Sequence, residues 1–253
     1  MAIPASDYLE AFQKAGQHLQ ACMDKGEGFR WIKARPCKPS FADLVFAHGQ
    51  RLYAVLLAAV SSQKKAEGEA GVTARFELSR EQLHLLLQEC ERYHLEPAVF
   101  PLWLGIMQPL TTGWNLFSPQ RNMEPLPLAD APQDTPPTPM SEWEICNFCV
   151  ELVVQELREE GLSIHSTHDI PGLYPNIWFR DAGEKRAWIA VLPTIGAQEA
   201  HLPKEVEQLR NKLPTGCVGY VARIAVSAAE RDGEAPLRGE SLTVAYRGLE
   251  RLP

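Results

Sequence analysis

Two stretches of this chain, more than a hundred residues apart, follow one pattern, and a pattern used twice constrains the whole fold. Phe41-Ala42-Asp43-Leu44-Val45-Phe46 leads into a polar turn at His48-Gly49-Gln50-Arg51, then an apolar run from Leu52 to Val60. Tyr174-Pro175-Asn176-Ile177-Trp178-Phe179 leads into a polar turn from Asp181 to Lys185, then an apolar run from Ala187 to Leu192. Asp43 and Asn176 hold the same place in this wording. Each lies 15 residues after a glycine, Gly28 or Gly161, that closes a helical pattern.

Periodicity extends the correspondence. Ser6 to Lys25 reads as a helix with Ser6 as N-cap and Leu9, Phe12, Leu19 and Met23 on one face. Phe29 to Ala34 alternates as a half-exposed strand does, and Ala42–Ala47 and Leu52–Val60 follow as strands joined at His48-Gly49. Residues 61–71 read as a loop and Val72–Leu78 as a further strand. Ser79 and Gln82 have the spacing of a capping box before a helix that carries Leu83, Leu86, Leu87 and Cys90 and ends at Glu96-Pro97. Ala98–Leu104 reads as a strand, with a short one at Trp114–Phe117. Downstream, 142–160 reads as a helix with Ile145, Cys149, Leu152, Val153 and Leu157 on one stripe. Strands are expected at 162–165, 177–180 and 187–192, a helix at 204–212, and strands at 216–227 and 241–246. Each half thus reads helix, strand, hairpin, helix, strand, an α/β class with a mixed sheet flanked by helices.

Between the halves, residues 119–140 hold seven of the 20 prolines and little that can bury apolar area. This predicts a Pro-rich linker separating domains at 1–118 and 141–253. The charge is uneven across these three parts. Residues 1–118 are neutral, 119–140 carry −2 and 141–253 carry −5. A protein that grips a phosphate backbone needs a basic excess, so the balance argues against nucleic acid as a partner. Six cysteines without a dense framework read as reduced thiols. The longest apolar run, Leu52–Val60, is too short to span a bilayer, and the N-terminus lacks a signal pattern. The expected protein is cytoplasmic, without membrane association.

The order of elements and the wording around Asp43 resemble the restriction-endonuclease-like fold, the PD-(D/E)xK nuclease superfamily. Ser79-Arg80-Glu81-Gln82-Leu83 through Glu96-Pro97-Ala98-Val99 resembles the helix and strand that follow the core in Holliday-junction-resolvase-like members. The likeness covers roughly residues 6–117 and, more loosely, 142–226. It implies two tandem domains of this architecture, with Asp43 where the family places its first acid and Asn176 as its degenerate counterpart. The family's chemistry uses a divalent metal on two carboxylates, with a lysine beside the attacking water. The second acid and the lysine belong on the strand after the hairpin, two residues apart. Those places fall near Leu56 and Ala58 in the first half, and near Val191 and Pro193 in the second. Neither copy has the acid-x-Lys element. Asp43 therefore stands alone as a candidate ligand, unless Glu10, Glu27, Glu77 or Glu81 converges with it.

Cys146-x-x-Cys149 with His165-x-x-His168 supplies four possible zinc ligands, but the cysteines fall inside a helical pattern, where small buried thiols are common. Their mid-helix place also argues against a redox pair, which sits at a helix N-terminus. Thr215-Gly216-Cys217-Val218-Gly219 only faintly matches a nucleophile elbow and reads as the start of a strand. Trp103, Trp114, Phe117, Trp178 and Trp188 sit at strand positions, and Trp178 and Trp188 flank the second hairpin so as to share a sheet face. Three functions stay open. One is a catalytically inactive nuclease-like scaffold acting through a protein partner, without cofactor. The second is a Mg-dependent nuclease or nuclease subunit with relocated ligands. The third is a small-molecule binder.

Overall fold

The structure is a computed structural model and describes residues 3–64, 72–128, 135–183, 185–196, 200–213, 216–231 and 233–252. Two compact units divide the chain: Met1–Pro36 with Phe41–Pro136, and Cys37–Ser40 with Pro137–Pro253.

The first unit opens with α1, Tyr8–Met23. Ala11, Phe12, Ala15, Leu19 and Met23 recur at helical spacing and are buried. The N-cap is Asp7 rather than Ser6, whose hydroxyl donates to the Asp7 carboxylate. Strands β1 (Phe29–Lys33), β2 (Leu44–His48) and β3 (Arg51–Lys64) form an antiparallel meander. Every residue of β2 is buried, which suits a strand covered on both faces. β4 (Val72–Glu77) extends the far end of β3, pairing Ala59 with Glu77 and Lys64 with Val72. The strand therefore runs on through 61–64, where a loop was expected, because backbone pairing holds polar residues too; 65–71 lie outside the described residues.

Helix α2 (Arg80–Tyr93) begins as expected, the Gln82 amide donating to Ser79 Oγ. It ends earlier than Glu96-Pro97, at His94, which takes a left-handed conformation (φ 56°) and stops the helix. Glu96 and Pro97 then open β5 (Glu96–Trp103), which runs parallel to β3, Tyr53 opposite Glu96. Short strands β6 (Gln108–Pro109), β7 (Phe117–Ser118) and β8 (Glu124–Pro125) finish the sheet, in the order β1-β2-β3-β5-β7-β8. Residues 119–128, expected in the linker, thus carry structure. A 3-10 turn covers Pro119–Arg121, the Leu126 amide donates to the Leu116 carbonyl, and Leu126 and Leu128 pack on the core. Two leucines spaced among prolines supply this anchor, while 129–134 lie outside the described residues.

The second unit opens with α3, Glu142–Glu159, started by a full capping box in which Ser141 and Glu144 each satisfy the other's backbone amide. Gly161 (φ 75°) follows its end, as expected. Gly28 (φ 73°) has no such role, for α1 ends at Met23 and Gly28 instead accepts the Gly49 amide in a turn. Strands β9 (Ile164–Thr167), β10 (Ile177–Arg180) and β11 (Arg186–Ile195) form an antiparallel meander. Helix α4 (Lys204–Lys212) leads to β12 (Val218–Ala228), parallel to β11. β13 (Leu242–Tyr246) and β14 (Glu250–Arg251) pair with β12. Thr215 lies outside the described residues, and Val218 opens the strand.

Helix, three-stranded meander, helix, parallel strand is therefore common to both units, with β4 inserted before the second helix in the first unit alone, and β1-β2-β3-β5 and β9-β10-β11-β12 share their strand senses. Both are mixed sheets flanked by helices. Trp178 lies directly opposite Trp188, and both join one apolar cluster with Val206 and Val221. Trp188 is tolerated because Gly219 is its parallel-strand partner: a Cβ there would stand 2.5 Å from the indole.

Candidate functional site: Asp43, Asn176 and the cavity beside Asn176

Asp43 lies just before β2 and is buried. Its amide donates to the Val55 carbonyl at 2.9 Å, and one carboxylate oxygen accepts the Leu57 amide at 2.8 Å. The other oxygen accepts the Tyr8 hydroxyl of α1 at 2.7 Å. Both oxygens of this carboxylate thus hold the fold: they tie the strand entry to β3 and to the helix above it. Lys33 of β1, 2% exposed, donates its ammonium to the Ala42 carbonyl at 2.9 Å. A lysine is almost never buried without such a partner.

Asn176 repeats the backbone arrangement before β10. Its amide donates to the Ile189 carbonyl at 2.9 Å and its side-chain oxygen accepts the Val191 amide at 2.9 Å. Its Nδ2 reaches the Leu173 carbonyl at 3.4 Å. The two residues hold equivalent places in their sheets, although one of the two glycines used to align them does not end a helix. This pin also moves the register of the first unit by one residue. Leu57 and Ala59 are the counterparts of Val191 and Pro193, rather than Leu56 and Ala58. Leucine and alanine offer no ligand in either register, and the run 52–60 is uncharged.

A cavity of about 520 Å³ opens beside Asn176 within the second unit. Val191 and Pro193, the places that would carry the second acid and the lysine, line it together with Ile145, Cys146, Tyr174 and Ala200. Its position follows from the topology. β10 and β11 are antiparallel while β11 and β12 are parallel, and the C-terminal end of β11 stands at that change of sense. Crevices at such ends are common ligand sites. Ile195, 40% exposed, lines it as well.

The four candidate zinc ligands do not assemble, and among the described residues no three His, Cys, Asp or Glu side chains come together to hold a metal. Cys146 and Cys149 are buried on the inner face of α3. Burial pushes the Cys149 thiol up to about 12, and pushes Cys146 higher, with Asp169 adding to the effect. Such thiols stay protonated at neutral pH, and the thiolate is the nucleophile and metal-binding form. His165 is exposed on β9, whereas His168 is buried, its backbone amide on the Asn176 carbonyl. Glu10, Glu27 and Glu81 are exposed and Glu77 is half-buried, with no convergence on Asp43.

One polar feature has little signature in the sequence. Arg238 and Glu144 form a buried ion pair, their side chains 4% and 3% exposed, with Arg238 Nη2 3.0 Å from Glu144 Oε2. Arg238 Nε lies 3.1 Å from both carboxylate oxygens. Glu144 is also the capping-box acid of α3, so the pair locks the loop before β13 to the helix start. The Ser141-x-x-Glu144 spacing signals the cap, but nothing local points to an arginine 94 residues away.

Residues 143–252 match a domain of unknown function (DUF8840), less than half of the chain and nearly all of the second unit. No curated protein and no solved structure matches the chain. Among the described residues no helix is long and apolar enough to cross a membrane.

Proposed function

We propose that this chain is a catalytically inactive protein of two tandem restriction-endonuclease-like domains, derived from one ancestral unit and acting by binding a protein partner. The carrying observation is the use made of the first-acid position. At Asp43 and Asn176 alike, the side chain is spent on the amide two residues along the next strand. The companion positions are Leu57, Ala59, Val191 and Pro193, which neither ligate a cation nor transfer a proton. In such a protein the acid survives as a structural clamp after the metal chemistry is gone. That explains why asparagine serves equally well in the second unit. The acidic balance, −7 overall, supports a partner other than nucleic acid. A fold hosts many functions, so the reading rests on these site residues.

Lys33 supports a second reading, a Mg-dependent nuclease whose lysine has moved to the neighbouring strand beside Asp43. Calorimetric titration of the full chain with Mg²⁺ and Mn²⁺, paired with a plasmid-nicking assay, separates the two. The inactive reading expects no saturable heat and no cleavage. Saturable binding that vanishes in Asp43→Ala, with cleavage that vanishes in Lys33→Met, would establish the nuclease instead.

A further inference from the structure

We infer that β13 is a contact between two copies of this chain, which pair antiparallel about a two-fold axis at Val244 and join their second-unit sheets edge to edge. The inference goes beyond the proposed function and does not depend on Asp43 or Asn176. β13 ends the order β13-β12-β11-β10-β9 and pairs with β12 alone. The register sets Val226 opposite Val244, and the Ala229 amide donates to the Ser241 carbonyl. Opposite residues in an antiparallel pair alternate between exchanging both bonds and exchanging none. Ser241, Thr243 and Ala245 therefore turn their backbone groups to β12, and Leu242, Val244 and Tyr246 turn theirs outward. Among the described residues nothing pairs with these outward groups. The strand itself is anchored: the side chains of Leu242, Val244 and Tyr246 pack on the core that includes α3, and the Tyr246 hydroxyl donates to Glu156 at 2.6 Å.

Open sheet edges are ordinarily guarded by charge, proline, brevity or a bulge. The other edge strands of this chain have such guards. β1 carries Arg30 and Lys33 and a register break between Trp31 and Lys33. β4 carries Arg75 and Glu77. β6, β8 and β14 are two residues long. β9 faces a register break between Trp178 and Phe179. β13 is five residues long, with no charge, no proline and no break in register. Its pattern selects a second copy as the occupant, because the outward residues are symmetric about Val244. A two-fold pairing centred there sets Leu242 opposite the partner's Tyr246 and Val244 opposite the partner's Val244, so every outward amide and carbonyl gains a bond. Charge sets the direction. The turn before β13, residues 229–241, holds four acidic residues against Arg231 and Arg238, and residues 247–253 hold Arg247 and Arg251 against Glu250. Antiparallel pairing brings the acidic end of each copy to the basic end of the other, whereas parallel pairing would join like to like. Both open edges are consumed, so the assembly closes at two copies.

Sedimentation velocity of the full chain from about 1 µM to about 1 mM tests this. The expected result is a shift from the mass of one chain to that of two as concentration rises. Thr243 and Ala245 are exposed, so substitutions there leave the core alone, and the two-fold axis sets each opposite the other across the contact. The Thr243→Lys, Ala245→Lys variant faces ammonium with ammonium and is expected to raise the dimer dissociation constant about tenfold. The Thr243→Lys, Ala245→Glu variant faces ammonium with carboxylate and is expected to return it to within about threefold of the wild type, or below it. Circular dichroism checks that both variants are folded, and the wild-type series decides the question even where one is not. A monomer at every concentration overturns the inference and leaves the edge to an extended segment of another protein. A dimer that the lysine pair does not weaken, failure of the lysine–glutamate variant to recover it, or species larger than two copies overturns it as well. None of these outcomes touches the metal titration, so the pairing and the loss of nuclease chemistry fail separately.

Discussion

The two units apply one backbone device to opposite ends. In the first, the acid before β2 clamps β3 and is sealed from above by the Tyr8 hydroxyl, so helix and sheet close over it. In the second, Asn176 makes the same bond to Val191 but faces a cavity walled by α3 and β11. Asparagine and aspartate accept the strand amide equally well. They differ in the remaining atom: a carboxylate oxygen accepts a hydroxyl, whereas the amide nitrogen donates, here to the Leu173 carbonyl. One substituted atom thus goes with a sealed position in one unit and an open one in the other. A side chain at a position that looks catalytic in the sequence can be fully occupied by the fold, so its identity alone is no sign of chemistry.

The comparison breaks most severely at the second unit's ion pair. Glu144→Ala leaves the Arg238 guanidinium buried without its partner and removes half of the capping box. Breaking a buried pair costs about 3–5 kcal/mol. Urea unfolding followed at Trp143, Trp178 and Trp188 of this unit is expected to show a loss of that size. A loss under about 1 kcal/mol would mean that water or another group takes up the charge.

Next in size is Gly219→Ala. The added Cβ would stand 2.5 Å from a buried indole, so the ring must shift within the core. Overpacking of this kind costs about 1–3 kcal/mol, seen as a lower urea midpoint with an unchanged slope. The Trp188→Phe, Gly219→Ala double variant is expected to regain part of that loss, which would assign the strain to the indole.

The clamp itself is tested by Asp43→Ala and Asn176→Ala. Each leaves a buried strand amide, Leu57 or Val191, without its acceptor, at about 1–3 kcal/mol. Asp43→Ala also removes the carboxylate oxygen that accepts the Tyr8 hydroxyl, so it is expected to be the more damaging. Asp43→Asn keeps the Leu57 bond and is expected to be milder than Asp43→Ala. If Asn176→Ala proves the worse of the two, the second position carries more than a clamp.

Much of this architecture is legible in the sequence where periodicity is strong. The helix at 204–212, the hairpin around Asp181 and the facing Trp178 and Trp188 follow from local pattern. Where hydrogen bonding overrides hydrophobicity, the reading fails. Polar 61–64 extend β3 because β4 pairs with them, and His94 ends α2 by a left-handed turn that a histidine does not advertise. Proline spacing hides Leu126 and Leu128, which bind the stretch after Ser118 to the first unit. The cavity is least legible of all, since α3, the loop before Asn176, β11 and the approach to α4 each supply a part. The sequence places Asn176, Val191 and Pro193 together as a missing catalytic set, but not the space that their small or apolar side chains leave open.

The smallest effect separates the units by pH. Each buries one histidine that resists protonation. His48 is 5% exposed and stacks on Phe29 with ring centroids 3.9 Å apart; burial lowers its pKa and the Arg51 charge lowers it further. His168, 7% exposed, is also lowered by burial, but its hydrogen bond to Pro175 and the Asp169 charge pull the other way. Above about pH 6.5 both histidines are neutral folded or unfolded, and neither affects stability. As pH falls through that value the unfolded chain takes up protons that the folded histidines refuse, so stability drops until the folded pKa is reached. One such proton contributes at most about 1.4 kcal/mol per pH unit. His48→Phe keeps the stack on Phe29 and removes the proton, so between pH 7.5 and 5.5 it is expected to lose less stability than the wild type. His168→Gln is expected to flatten the profile less, because Asp169 and the Pro175 carbonyl already favour the charged ring. Equal flattening by the two variants would show that Arg51 and Asp169 have little influence at these sites, leaving burial as the common cause.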